Sequence, residues 1–275
     1  MKASDPVAGA AVEALVLAGG LGTRLRSTIG DNQKVLAGVG GRPFIFRILE
    51  QLASSSIRRA TLCVGFKADA VKDTLGESFR SLELAYSVES APMGTAGAIR
   101  LALGASSSSR ILVMNGDSFI DVDLNAFLSW SAGRASSILL TKVEDSSRYG
   151  RVSIDASSRI LSFEEKGSGN GPGLINAGIY VFDRALLLDR IPQGRPVSME
   201  KEIFPSLLRD GLLHGFVSDS PFIDIGTPES YKDANSGKAP FPLRGQGPGH
   251  EGSLNVRRQA DPLDLHVRAE RRIWS

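Results

Sequence analysis

Cysteine is nearly missing from this 275-residue sequence, Cys63 being its sole example. No disulfide framework can form within the chain, and the apolar run Thr61-Leu62-Cys63-Val64 marks that thiol as buried and inert rather than nucleophilic. Histidine is scarce as well, and His214, His250 and His266 show no metal-ligand spacing. No apolar stretch approaches the roughly 20 residues of a membrane span. The first dozen residues lack the basic start and apolar middle of a secretory signal. Excess charge is missing too: 32 Lys and Arg face 30 Asp and Glu, a balance too even to steer the chain towards nucleic acid or a membrane surface. These absences predict a cytoplasmic protein whose partners are small molecules. They leave a homo-oligomer open.

What the sequence does have is enough apolar residue, 42% against 23% charged, for the core of one large domain or two small ones. Ala14 to Ala18 is a continuous apolar run that stops at Gly19-Gly20, the pattern of a buried parallel strand feeding a glycine loop. From Pro43 to Leu52 apolar residues recur at helical spacing, with Pro43 suited to a first helical turn. Ala60 to Val64 reads as a second strand and Ala68 to Leu75 as a second helix. Leu84 to Val88, Ile111 to Met114, Ser137 to Val143, Arg151 to Ile154, Gly178 to Phe182 and Phe222 to Ile225 are further strand candidates. The alternation predicts an α/β domain, a Rossmann-like and mostly parallel sheet covered by helices on both faces, with ligands at the carboxyl ends of the strands. The stretch from Tyr149 to Lys166 breaks it with a hairpin pattern around a polar turn, which predicts a small antiparallel β insertion. Residues 1–12 read as an N-terminal extension and 13–235 as the domain. Residues 236–275 read as a basic, Gly/Pro-rich extension or a short helix from Leu263 to Trp274.

The richest segment is Leu17-Ala18-Gly19-Gly20-Leu21-Gly22-Thr23-Arg24-Leu25-Arg26, with Lys34 beyond it. Glycines let the backbone approach a ligand closely, successive amides can cradle phosphate oxygens, and Arg24 and Lys34 supply positive charge. The segment is neither a P-loop, which needs Gly-Lys-[Ser/Thr], nor the dinucleotide fingerprint, since Leu25 stands where a third glycine belongs. Two strand-end carboxylates accompany it. Asp117 closes Ile111-Leu112-Val113-Met114-Asn115-Gly116-Asp117, and Asp224 sits inside Phe222-Ile223-Asp224-Ile225. A single such aspartate usually caps a turn, but two of them beside a phosphate cradle suit Mg²⁺, which takes one or two carboxylates together with substrate phosphates.

With Gly41-Arg42-Pro43, Gly94-Thr95-Ala96-Gly97-Ala98, Glu165-Lys166, Asn176-Ala177-Gly178-Ile179-Tyr180 and Phe222 to Tyr231, these segments stand in the order of the sugar-1-phosphate nucleotidyltransferase motifs. The sequence resembles that family over roughly residues 13–235, and within it the heptose-1-phosphate guanylyltransferases. The resemblance implies that Leu17, Ala18, Gly19, Gly20, Gly22 and Thr23 hold the nucleotide and that Arg24 meets the departing pyrophosphate. Lys34 would meet the α-phosphate and the sugar phosphate, and Asp117 and Asp224 would hold the metal. Gly94 and Thr95 would line base and ribose, while Gly116, Glu165, Lys166 and Asn176 would bind the sugar phosphate. One departure stands out: Gln33 replaces the proline usual before this lysine, which predicts a more mobile loop.

Glu89, five residues before Gly94, falls where this family faces the base. Guanine offers two donors on one edge, which a carboxylate accepts as a pair, whereas thymine and uracil offer one donor between two acceptors. Glu89 therefore favours GTP. The expected reaction joins GTP to a sugar 1-phosphate, heptose preferred, with Mg²⁺. The alternatives are a dTTP- or UTP-dependent glucose-1-phosphate or cyclitol-phosphate enzyme, and a noncatalytic nucleotide-sugar-binding regulator. Arg148 and Tyr149 either border the sugar or merely shape a turn.

Overall fold

The computed structural model describes residues 12–20, 22–164 and 171–236. Its strands are β1 (Val12–Leu17), β2 (Gly38–Val39), β3 (Arg42–Pro43), β4 (Arg59–Val64), β5 (Ser78–Phe79), β6 (Leu82–Val88) and β7 (Arg110–Asn115). They continue with β8 (Ser118–Ile120), β9 (Ser136–Val143), β10 (Val152–Ile154), β11 (Ile160–Phe163), β12 (Gly173–Asp183), β13 (Leu213–Ser218) and β14 (Phe222–Asp224). The helices are α1 (Arg26–Ile29), α2 (Ile45–Ala53), α3 (Ala68–Leu75), α4 (Gly94–Ala102), α5 (Leu124–Trp130), α6 (Arg184–Arg190), α7 (Phe204–Arg209) and α8 (Pro228–Asn235).

Eight strands form one sheet in the order β13-β9-β12-β7-β1-β4-β6-β5. β7, β1, β4 and β6 run parallel, β12 lies antiparallel between β7 and β9, and β5 closes the far edge as a hairpin with β6. Side chains alternate across such a sheet. Leu15, Ile111 and Val113 therefore join one core with Ala96, Ile99, Leu187, Phe204 and Leu207 from α4, α6 and α7. The other face takes α2, whose Ile45, Ile48, Leu49 and Leu52 are all fully buried. Helices thus cover both faces, as the alternation of elements predicts.

The start of α2 differs from the sequence reading. Pro43 lies in the short strand β3 and not in a first helical turn; α2 begins two residues later. The predicted hairpin does form, β10 against β11, turned by Asp155, whose Oδ1 accepts the N–H groups of Ser157 and Arg159. The helix expected from Leu263 to Trp274 lies outside the described residues.

Candidate active site

The parallel strands β1, β4, β6 and β7 deliver their carboxyl ends side by side at Leu17, Val64, Val88 and Asn115. Beyond those ends opens a cavity of about 1250 Å³, faced by Leu17, Ala18, Gly19, Gly20, Gly22, Thr23 and Arg24 of the glycine loop. Gly22 has φ +58°, a conformation that side chains disfavour. The Leu25 N–H returns to its carbonyl at 2.9 Å to close the turn. Arg24 is exposed in the cavity and has no hydrogen-bond or ion-pair partner among the described residues. Leu21 lies outside those residues.

Lys34 follows a buried Gln33 whose φ of −64° is the value proline would impose. The Gln33 side chain accepts the Lys34 N–H at 3.1 Å and donates to the carbonyl of Phe66. Where the resemblance leads one to expect a proline, the Gln33 backbone has the same φ and its side-chain amide bonds to Lys34 and Phe66. From that anchor Lys34 Nζ reaches Asp117 Oδ2 at 2.6 Å.

Asp117 and Asp224 become neighbours through strand pairing. β14 runs antiparallel to β8 with Asp224 opposite Ser118, and Ile225 N–H donates to the Asp117 carbonyl at 2.9 Å. Asp224 Oδ1 accepts the Gly226 N–H and the Ser230 hydroxyl, both at 2.9 Å. Its Oδ2 accepts the Tyr149 hydroxyl and lies 3.4 Å from the Arg148 guanidinium. Burial would raise the Asp224 pKa, but the donors Tyr149, Gly226 and Ser230, with the charge of Arg148, outweigh it and hold the carboxyl below its ordinary range. Burial and the bond to Asp224 push the Tyr149 phenol upward. Among the described residues no cluster of three or more His, Cys, Asp or Glu gathers. Two carboxylates, with room beside them for phosphate oxygens and water, are the donor set a hard cation such as Mg²⁺ accepts.

The wall opposite comes from β6, α4 and the turn before α7. Glu89 faces the cavity and accepts the Met93 N–H through Oε2 at 3.1 Å. Gly94 and Thr95 line the cavity too, yet the Thr95 hydroxyl is already engaged: it accepts the Met199 N–H at 2.8 Å and donates to Glu200 at 3.1 Å. Glu200 and Lys201 belong to a π-helical turn, Met199–Ile203, a geometry often found at functional sites. Asn176 stands where the β9–β12 register slips, as bulged strands often do beside active sites. Its amide donates to the Tyr180 hydroxyl at 3.0 Å and its carbonyl accepts the Gly178 N–H at 2.9 Å.

Gly116 is brought elsewhere. It is buried under the loop, its N–H bonded to the Leu17 carbonyl at 2.9 Å, and a Cβ there would come within 2.5 Å of that oxygen. Close packing explains this glycine. Glu165 and Lys166 lie outside the described residues. Arg148, Tyr149, Glu200 and Lys201 border the cavity. For the first two the sequence leaves a structural turn equally open, and the last two carry no motif that signals them.

The nucleotidyl transferase family profile matches residues 13–239. The chain belongs to the nucleotidyl transferase family. It is an enzyme fold of nucleotidyl transfer, and its relatives agree. A mannose-1-phosphate guanylyltransferase of Mycobacterium tuberculosis is 36% identical over 244 residues, 85% of this chain and 68% of that protein. A D-glycero-alpha-D-manno-heptose 1-phosphate guanylyltransferase of Campylobacter jejuni is 35% identical over 224 residues, 80% of this chain and 97% of the other. Among solved structures, HddC from Yersinia pseudotuberculosis in complex with GMP-PN superposes with TM-score 0.73 at 34% identity, covering 82% of this chain and 99% of its own. No helix of the described residues is long and apolar enough to cross a membrane.

Proposed function

We propose that this chain transfers GMP from GTP to a sugar 1-phosphate, heptose 1-phosphate preferred, giving the GDP-sugar and pyrophosphate. The observation that carries the reading is the Lys34–Asp117 pair, 2.6 Å apart, set in one cavity between the glycine loop and Asp224. A phosphate-binding loop, a flexible cationic side chain and two adjacent carboxylates are the groups that displacement at an α-phosphorus needs.

An oxygen of the sugar phosphate attacks the α-phosphorus in line. The bond from that phosphorus to the β-bridging oxygen breaks, and pyrophosphate leaves with the electron pair. The nucleophile is already anionic at neutral pH, so no general base is required. Lys34 lies where it can bridge the α-phosphate and the incoming phosphate, and the unpartnered Arg24 can take charge on the departing group. Their contribution is alignment and neutralisation in a partly dry site. Asp117 and Asp224 would hold Mg²⁺, which when bound supplies further charge neutralisation on the phosphates. Asn176, with Glu165 and Lys166, keeps the sugar-phosphate role that the family resemblance gives it.

Glu89 supports guanine, and the guanylyltransferase names of the relatives point the same way. The test is pyrophosphate release with Mg²⁺, comparing GTP, UTP, dTTP, CTP and ATP with heptose, mannose and glucose 1-phosphates. GTP with one sugar phosphate is expected to turn over, and Asp117→Ala to lower the rate on the order of 10²-fold or more. Turnover with UTP or dTTP in preference to GTP would sink the guanylyl reading. A chain that binds nucleotide but turns over no pair would be a regulator.

A further inference from the structure

The cavity end that holds Glu89 is built from absent side chains. Gly19 follows β1 and Gly65 follows β4, and both backbones lie against the Glu89 carboxylate. A Cβ at position 65 would stand 2.9 Å from both Cγ and Oε1 of Glu89, and a Cβ at position 19 would stand 2.9 Å from the same Oε1. The strand register produces this arrangement: β4 and β6 are parallel with Val64 beside Val88, so the next residue on each, Gly65 and Glu89, also fall together, and the Glu89 N–H donates to the Val64 carbonyl at 2.9 Å. On its other side the carboxylate is pinned by the Met93 N–H to Oε2. Beneath it lies the buried thiol of Cys63, its pKa pushed up to about 12 by burial and by the negative charge of Glu89.

We propose that Gly65 is a base-specificity position: with Gly19 it forms a slot that seats the Glu89 carboxylate edge-on to the nucleobase, and the empty volume at residue 65 is what lets this site read guanine. The inference rests on the reading that Glu89 faces the base. A carboxylate pairs with the N1–H and the exocyclic amine of guanine only when both its oxygens present to that edge. The slot seats Oε1 between the Gly19 and Gly65 backbones while the Met93 N–H holds Oε2, and each oxygen keeps a lone pair for one donor of the base. Any side chain at 65 displaces the Glu89 carboxylate from its seat, and a displaced carboxylate no longer matches two donors on one rigid edge. The backbone at Gly65 is not in the left-handed region, so alanine there meets no conformational strain. Its obstacle is the Glu89 side chain from Cγ outward, not backbone, and that side chain can turn aside without unfolding the strand. Position 19 is different, because a Cβ there also comes within 3.3 Å of the Gly65 backbone nitrogen.

The experiment compares kcat/KM for GTP and for UTP at saturating sugar 1-phosphate in the wild type, Gly65→Ala, Glu89→Ala and the double variant, with a thermal melt of each. Gly65→Ala is expected to melt as a folded protein and to lose GTP preference about 10- to 100-fold, the scale of an ångström misplacement in a site, mainly through the KM for GTP. The KM for the sugar phosphate should stay put. In the double variant the alanine at 65 should add nothing to Glu89→Ala, since it acts through that carboxylate alone. Unchanged preference in Gly65→Ala while Glu89→Ala loses it overturns the slot and leaves the guanine reading intact. Unchanged preference in Glu89→Ala overturns the guanine reading itself, and the slot with it. A Gly65→Ala chain that fails to fold, or one whose defect adds to that of Glu89→Ala, also overturns the proposal, because the backbone and not the carboxylate would then have yielded.

Discussion

Asp224 gathers donors in a way no single-residue reading reveals: a phenol, a backbone amide, a serine hydroxyl and a guanidinium all point at one carboxylate. Each favours its charged form, so the folded-state pKa lies below the unfolded one. A carboxyl of this kind stabilises the fold at pH above its unfolded pKa, and that stabilisation is lost as pH falls through the depressed folded value. Tyr149→Phe removes one donor. At neutral pH, in the presence of chelator, the variant is expected to be less stable by about 1.5–3 kcal/mol, the range for a hydrogen bond to a charged group. The gap should close as pH drops below the ordinary carboxylate range, where Asp224 becomes protonated in both proteins. Melting temperatures of the two proteins between neutral and acidic pH read this directly. A gap that stays constant with pH would mean that the hydroxyl's contribution does not depend on the charge of Asp224; the edge-on ring contact with Phe222 at 5.6 Å, which phenylalanine keeps, cannot be its source.

Elements join what the motifs keep separate. By its motif Thr95 belongs to the nucleotide wall, but its hydroxyl bridges α4 to the π-helical turn that carries Glu200 and Lys201. The carbonyl of Val197 adds to that joint by accepting the N–H groups of Ala96 and Gly97 at 3.0 and 3.3 Å. Thr95→Val is expected to cost about 1–3 kcal/mol by orphaning the Met199 N–H, and to raise the KM for the sugar phosphate more than the KM for GTP. Steady-state kinetics in both substrates decide it: an effect confined to GTP would return Thr95 to a purely nucleotide role. Much of this placement is legible in the sequence because strand ends in a parallel sheet must place their loops together, so Leu17, Ala18, Gly19, Gly20, Gly22, Thr23, Arg24, Glu89 and Asp117 line one cavity as the apolar runs imply. The strand β13, with exposed Val217 and a glycine at 215, has no such run to betray it. Nor can a π turn be read from residues that would equally make an α-helix. Gly116 misleads for a related reason: a glycine beside the strand-end aspartate Asp117 looks like a ligand contact, whereas here the constraint is the approach of β1.

Across the whole molecule, charge and chain position separate the enzyme core from the C-terminal stretch. The chain divides into Met1–Pro240 and Phe241–Ser275. The second stretch holds six Arg against four Asp and Glu, a net +2, so the first carries the remaining zero of the chain's total of +2. The residues that face the cavity end at Thr227, and the last described helix, α8, ends at Asn235 after a capping box in which Thr227 and Ser230 exchange hydrogen bonds. Tyr231 and Asn235 of that helix tie back to the carbonyl of Gly38 at 2.7 and 3.3 Å, so α8 is anchored to β2 by residues of the first stretch alone. A chain ending at Pro240 is therefore expected to melt as the full chain does and to keep kcat and both KM values within about twofold, the scale of changes remote from a site. Its retention on a cation exchanger should fall with the six arginines removed. If activity dropped far more while the melt held, the basic segment would have to contribute directly to substrate binding, and the cavity as built by residues 12–236 would be incomplete.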